Sequence, residues 1–588
     1  MYKILKKVQR ESIIRLFITL LILVFISNIY GKDNTLRVEN SEQIPVPVII
    51  QQVLFDANNI STWVYNTGIF NQDQRTSNTP GFQWPIGTGK FAIFTSGLCI
   101  GAYVNNELRE AMASYKGEYA PGYIVDSSGN ILVKTDFRFK IYKVKQGDNY
   151  MTNPDWLNWG LMVPFGAPYT DVNHNGTYEF MVDTPGVRGA VQTLFVCLTD
   201  GFTNEHKIGE GFGGGTLPLY AEVHMTAWAY ITGCLADVQF LRWVVINRSH
   251  SQWNKTYFAI FSDCDLGFPD DDYNGCDTIL QLGYTYNGED MDGTGQGVSY
   301  GLHPPAVGMT LLESPVNRSV NPPRRLGLTS FIYIASTSSP TPLCEKDAVG
   351  EPEGAYNFMK GIKKDATPWV IPPGGLENIT KYCYSGDPES GQGWNEGLPG
   401  NPSGSVRNCG GPGVVTGTIV SVNPYGNRTF VLGSGADNLN INPGDTQTIV
   451  MAQLIARGTT NLNSVTKLKQ LAQCVRDFYN EHIGITPISS SVPGAFKLYQ
   501  NYPNPFNPST KIKFEIPPSP LYERGAGGFI VLKIYDILGR EVSILVNERL
   551  RPGTYEVEFD GSNFSSGIYF YKFIIDGFNQ TNKMVLLK

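Results

Sequence analysis

Near its C-terminus the chain keeps a strict period of two. In Lys511-Ile512-Lys513-Phe514-Glu515-Ile516, Ile512, Phe514 and Ile516 fall on one face and Lys511, Lys513 and Glu515 on the other, as a half-buried strand requires. Runs rich in β-branched and aromatic residues follow at short intervals, over Phe529 to Tyr535, Glu541 to Val546, Gly553 to Phe559, Gly567 to Ile575 and Asn579 to Leu587. Gly539, Pro552-Gly553, Asp560-Gly561 and Asp576-Gly577 punctuate them. Short strands packed this densely predict a small β-sandwich over Phe496 to Lys588. Pro503, Pro505 and Pro508 each fix φ and remove a backbone donor, so the lead-in to that sandwich runs extended.

These residues also carry a resemblance. Gln500 to Thr510, Ile534-Tyr535-Asp536 with Gly539-Arg540-Glu541-Val542, Phe559-Asp560-Gly561-Ser562-Asn563, Ser566 to Tyr571 and the terminal Lys583 to Lys588 resemble the type A C-terminal sorting domain of the type IX, or Por, secretion system. The resemblance implies delivery by that translocon and its sorting machinery in a Bacteroidetes-like bacterium. The product would be secreted, or attached to the outer cell surface, by way of the periplasm. Pro517 to Gly528 is longer than the family usually has between its first two strands. A surface hairpin absorbs such an insertion cheaply, since loop entropy grows only logarithmically with length.

The other end of the chain is consistent with that route. Lys3, Lys6, Lys7, Arg10 and Arg15 precede the apolar run Leu16 to Ile26, and Gly31 supplies a small residue, so 1–31 reads as a signal peptide cleaved before Lys32. The run is shorter than the roughly twenty apolar residues of a spanning helix. No other stretch is longer, so the mature chain is expected to have no transmembrane segment.

Between the two ends lies a body over 32–483, long enough for two or three subdomains, joined to the sorting module by a linker over 484–495. Strand-like runs dominate it: Phe91 to Tyr103, Asp136 to Val144, Gln192 to Leu198, Ala221 to Thr232, Val238 to Asn247, Tyr257 to Ser262, Ile279 to Tyr286 and Thr446 to Arg457. Leu468, Leu471, Val475, Phe478 and Tyr479 recur at spacings of three and four, which predicts an amphipathic helix over Ser464 to Tyr479. The expected fold class is therefore mainly β: a multi-domain, β-sandwich-rich body with a late amphipathic helix, followed by a C-terminal Ig-like β-sandwich. The body's landmarks include Trp84-Pro85, Gly166 to Tyr169, Glu222 to Trp228, Gly386-Asp387-Pro388 and Pro443-Gly444-Asp445. They resemble large uncharacterised exported proteins that carry this same sorting domain, a resemblance that transfers no catalytic residue. A formal net charge of −7 gives no basic field for nucleic acid.

Two acidic stretches suggest a structural calcium cofactor. Asp171-Val172-Asn173-His174-Asn175-Gly176 places oxygen ligands at alternate positions ahead of a glycine turn, and Glu179 and Asp183 bring further carboxylates. The twelfth position is Val182, so the loop departs from an EF-hand, and its modest charge predicts a site of about 10⁻⁴ to 10⁻³ M. An Asx-turn loop that holds itself together without metal is the alternative. In the second stretch Asp263, Asp265, Asp270, Asp271, Asp272 and Asp277 crowd between two strands and repel one another unless a cation or solvent intervenes. Cys264 and Cys276 flank this stretch and could close it as a disulfide; the nine cysteines allow up to four bridges in an exported chain.

For an enzyme the sequence offers little. The six histidines form no His-Glu-x-x-His, and no Gly-x-Ser-x-Gly elbow occurs. Glu222 and His224 share a strand face, where a structural pair is the plainer reading. Gly209-Glu210-Gly211-Phe212-Gly213-Gly214 matches a dinucleotide fingerprint formally, but Pro218 follows where a helix should start. Trp156, Trp159 and Trp394 are either sugar-stacking platforms or core. The expected function is a noncatalytic, adhesive or structural surface protein stabilised by calcium, with extracellular carbohydrate or cell-surface matrix as candidate partners. The alternative is a secreted hydrolase or carbohydrate-binding protein acting on extracellular polysaccharide.

Overall fold

The computed structural model describes residues 51–588 apart from 76–77, 123–137, 174–176, 294–298, 321–323, 338, 398–403, 481–486, 490–493, 518–527, 551–552, 562–563 and 576–577. The expected signal peptide, His174, Asn175 and His482 lie outside the described residues.

Two large antiparallel sheets build the body. One has eight strands in the order Gln52–Phe55, Thr62–Tyr65, Ile69–Phe70, Thr95–Val104, Asn254–Cys264, Arg428–Gly435, Ser330–Ala335, with Glu107–Ala111 paired beside Thr95–Val104. The other has nine, in the order Ala120–Pro121, Gln192–Thr199, Ala221–Ala229, Val238–Asn247, Thr446–Ala456, Ala306–Glu313, Leu282–Asn287, Asp272–Asp277, with Tyr142–Lys145 paired to Gln192–Thr199. One continuous core lies between them, joining Leu98, Ile260 and Val431 of the first sheet to Val223, Met225, Trp243 and Ile449 of the second.

Both faces of the nine-stranded sheet are buried, which explains why its strands read as unbroken apolar runs. Along Ala221–Ala229, Val223, Met225 and Ala227 enter the shared core, whereas Trp228 joins a second cluster on the opposite face. The helix Asn461–Tyr479 covers part of that outer face with Val465, Leu468, Ala472, Val475 and Tyr479, set against Phe240, Tyr284, Ala306 and Leu454. Each fully buried large apolar side chain contributes about 1.5–3 kcal/mol. Thr460 caps the helix by accepting a hydrogen bond from the Asn463 amide at 3.0 Å, and Cys474 is disulfide-bonded to Cys234. A third cluster, of Tyr142, Trp159, Met162 and Phe195, packs the segment around 154–167 onto the sheet beside Gln192–Thr199.

The helix Pro352–Met359 contacts the eight-stranded sheet closely, and glycine makes room for it: a Cβ on Gly101 would stand 2.8 Å from the Tyr356 ring. Cysteine use differs from expectation. The bridges are Cys234–Cys474 and Cys344–Cys409, while Cys99, Cys197, Cys264, Cys276 and Cys383 are free and buried. Cys264 and Cys276 do not pair because they end up in different sheets, and the Cys276 thiol donates to the Cys383 carbonyl at 3.4 Å.

The C-terminal module is two four-stranded sheets. Pro487–Ser489, Gly553–Asp560, Ser509–Ile516 and Lys497–Leu498 form one; Glu541–Leu550, Gly528–Asp536, Gly567–Ile575 and Phe578–Leu586 form the other. Part of the stretch read as a linker is thus an edge strand. Ile512, Phe514 and Ile516 meet Leu532, Ile534, Tyr571, Phe573 and Leu586 in the core, on the face their alternation predicts. Phe506, at the centre of the proline-rich lead-in, is also core. Its amide donates to the Val585 carbonyl and its own carbonyl accepts from Leu587, both at 3.0 Å, so the motif fastens the last strand. Buried Asn501 donates to the Thr510 hydroxyl at 2.9 Å and to the Pro503 carbonyl at 3.1 Å.

Candidate functional site

The loop from Asp171 to Asp183 is organised by its last carboxylate. Buried Asp183 accepts hydrogen bonds from the Val172 amide at 2.9 Å and from the Glu179 amide at 2.8 Å. Asn173 donates to Glu179 at 2.6 Å. Asp183 therefore clasps the two ends of the loop, while Asp171 stands at its start beyond the strand Tyr169–Thr170.

The second acidic stretch is arranged differently from its sequence. Only 265–271 is a connection; Asp272 to Asp277 is itself a strand at the edge of the nine-stranded sheet. Asp277 lies at the far end of that strand, about 17 Å from Asp272 at the usual rise per residue. It caps a turn there, accepting from the Ile279 and Leu280 amides at 3.1 and 3.0 Å. Asp270 is exposed. The remaining carboxylates converge, joined by Asp292 and Asp347, which are too distant in sequence for local reasoning to include.

This convergence is costly. Asp263 accepts from the Thr429 hydroxyl at 2.9 Å, yet burial and then the nearby Asp347 push its pKa up to about 6. Asp271 accepts from Asn287 at 2.7 Å and from the Gly293 amide at 3.0 Å, and burial pushes it also up to about 6. Asp265 and Asp272 are also raised well above the usual carboxylate range, first by burial and then by neighbouring carboxylates. Asp272 accepts from the Leu266 amide at 3.1 Å through Oδ2, while its buried Oδ1 has no hydrogen-bond partner among the described residues. Among the described residues no cation figures among the main influences on Asp263, Asp265, Asp271 or Asp272, whereas Lys90 lowers Asp292. Among the described residues, one set of three possible metal-ligand atoms lies mutually within 4.8 Å, that of Cys344, Asp365 and Cys409. The disulfide removes both of its thiolates. A cation at the acidic stretch would therefore draw on fewer than three carboxylates at once, with neutral oxygens completing its shell.

A third cluster surrounds the glycine-rich loop. Glu110 accepts from the Gly214 amide at 3.0 Å, Glu118 from Gly215 at 2.7 Å and from Met112 at 3.0 Å, and Ser114 from Phe212 at 3.0 Å. The loop's amides are thus spent on the protein's own side chains, which is why the formal fingerprint makes no phosphate cradle. His206 Nδ1 stands 3.4 Å from Glu118, and its Nε2 lies 2.7 Å from the Asp200 carbonyl. Burial pushes Glu118 up to about 7. The accessible space beside it is about 10 Å³, room for roughly one water and no substrate.

Glu222 and His224 meet on one strand face, with Arg248 beside them. His224 Nε2 lies 2.6 Å from Glu222 Oε1, Arg248 donates to both Glu222 oxygens at 2.8 and 3.3 Å, and Glu222 is buried. Trp159 and Trp394 are core; Trp156 is half-buried and lines a cleft.

A sandwich body followed by a separate two-sheet module, closed by its own C-terminal strand, has the layout of a passenger joined to a delivery domain. Residues 500–587 match the family model of the secretion system C-terminal sorting domain. The chain carries the type IX sorting domain and is exported to the cell surface or extracellular space. No curated protein matches the chain. Among the described residues no helix is long and apolar enough to cross a membrane.

Proposed function

We propose that the body is a noncatalytic, calcium-stabilised scaffold with an adhesive or structural role outside the cell. The observation that carries this reading is the group of buried Asp263, Asp271, Asp272 and Asp292 with half-buried Asp265, and among them the Asp272 Oδ1, without a hydrogen-bond partner among the described residues. A hard cation, which takes oxygen ligands and is abundant outside cells, neutralises such a group better than protonation does at neutral pH. The loop from Asp171 to Asp183 is the second calcium candidate, weaker because Asp183 already serves two backbone amides. Hydrolysis is the less favoured role. Glu118, a carboxylate with a histidine beside it and a pKa pushed up to about 7, faces space for about one water.

Calcium titration of the full chain, followed by thermal melting, tests the reading. Millimolar Ca²⁺ should raise the melting temperature and chelator should reverse the rise. Asp272→Asn should abolish most of the response without lowering stability in chelator, because the amide relieves repulsion while its oxygen still serves Leu266. Identical melting curves in chelator and in about 10 mM Ca²⁺, well above an extracellular-grade dissociation constant, would remove calcium from the account.

A further inference from the structure

The strand Tyr142–Lys145, the turn after it, the helix Pro154–Asn158 and the segment 184–190 enclose a cleft of about 260 Å³. This is slightly below the roughly 300–1,000 Å³ of sites for drug-sized molecules, and suits a ligand of about one sugar ring. Trp156 lines it. Its indole Nε1 donates to the Phe180 carbonyl at 3.0 Å, and the ring packs against the cluster of Tyr142, Trp159 and Phe195, so the platform is held in place. Among the described residues no aromatic ring or cation stacks on it.

Lys145 and Arg188 line the same cleft, both exposed, and neither has a salt bridge or side-chain hydrogen bond among the described residues. Asp148, the one acidic residue of the lining, is turned to its own loop: it accepts from the Lys145 amide at 2.9 Å and from Asn153 at 2.7 Å. Thr170 and Thr184 add hydroxyl groups. An apolar plane, two uncommitted cations and peripheral hydroxyls form the complement of a pyranose ring with an acidic substituent. The ring's C–H face stacks on indole, and a guanidinium forks onto a carboxylate or sulfate.

We infer that this cleft binds an acidic saccharide, with one ring on Trp156 and its anionic group on Arg188 and Lys145. The inference adds a ligand to the adhesive role proposed above and is independent of calcium. Isothermal titration of the full chain with oligogalacturonate, a sulfated oligosaccharide, a neutral cello-oligosaccharide and inorganic sulfate tests it, each run in calcium and in chelator. One or both acidic oligosaccharides should bind; which of them does so identifies carboxylate or sulfate as the recognised group. Arg188→Gln should weaken binding about tenfold and steepen no other property, and Trp156→Ala should weaken it at least as much. Trp156→Phe, which keeps an aromatic plane but gives up the bond to the Phe180 carbonyl, should retain part of the affinity with a smaller loss of melting temperature than Trp156→Ala, separating lost stacking from lost folding. The inference is overturned if no acidic oligosaccharide binds, if the neutral one binds equally, if sulfate alone binds as tightly, or if both Arg188→Gln and Trp156→Ala leave affinity unchanged. Failure in calcium and chelator alike, alongside a calcium-dependent melting shift, would remove the saccharide and leave the scaffold reading standing.

Discussion

Glu118 shows how one buried side chain couples this protein to pH. Its folded-state pKa, about 7, lies above the ordinary carboxylate value, so the folded chain holds this proton more tightly than the unfolded chain does. Its contribution to stability should therefore be complete below about pH 4.5 and be lost as pH rises through 7, opposite to the trend of a salt-bridged carboxylate. Asp263 and Asp271, raised to about 6, act in the same direction. Thermal melting in chelator between pH 5 and 8 checks this. Glu118→Gln should flatten the upper part of the curve and lower stability throughout by about 1–3 kcal/mol, since an amide supplies one acceptor where two amides, of Met112 and Gly215, now donate. A melting temperature that rises steadily with pH would contradict the assignment.

At the scale of elements, the helix Asn461–Tyr479 is both packed and tethered. The Cys234–Cys474 bridge joins residues 240 apart in sequence, a closure that in the chain-entropy picture restricts the unfolded state by about 5 kcal/mol. Cys474→Ser should cost about 2–5 kcal/mol, read as a lower denaturant midpoint. Mild reductant should reproduce the loss in the wild-type chain and leave the variant unmoved at this bridge. A midpoint unchanged by the substitution would mean that the packing of Val465, Leu468, Ala472 and Val475 holds the helix unaided. The Cys344–Cys409 bridge sits beside another buried device, the Lys363–Glu345 ion pair at 2.6 Å, in which Lys363 also donates to Asn408 at 2.8 Å.

For the whole molecule, the sorting module defines the route. Removing Phe496 to Lys588 should leave the body folded but held in the periplasm, as cell fractionation and immunoblotting would show. Normal appearance of the truncated chain outside the cell would contradict delivery by this module. The body keeps its own continuous core, so truncation removes none of the residues between its two sheets. Its outer layer between Met151 and Val182 exposes Met151, Leu157, Met181 and Val182, an apolar surface near the proposed saccharide cleft.

Local chemistry determined much of this protein in advance. Alternation in Lys511 to Ile516 fixed the buried face of a strand because a pleated backbone sends successive side chains to opposite sides. The three- and four-residue spacing of Leu468, Leu471 and Val475 announced the helix, which extends three residues further toward Asn461 because Thr460 supplies a cap. Turn glycines and prolines separated most strands correctly. What tertiary structure alone decided is which distant segments share a neighbourhood. Asp292 and Asp347 join Asp263 and Asp272 only when the sheets stack, and Asp277 leaves them because a strand carries it away. Cys264 and Cys276 part company for the same reason, and Cys234 finds Cys474 across 240 residues. Trp156 stood out in the sequence as a stacking candidate, but Lys145 and Arg188, unremarked in their own stretches, join it in one cleft only through the fold. Periodicity is a property of neighbours along the chain, whereas a site is a property of neighbours in space, and long-range strand pairing separates the two.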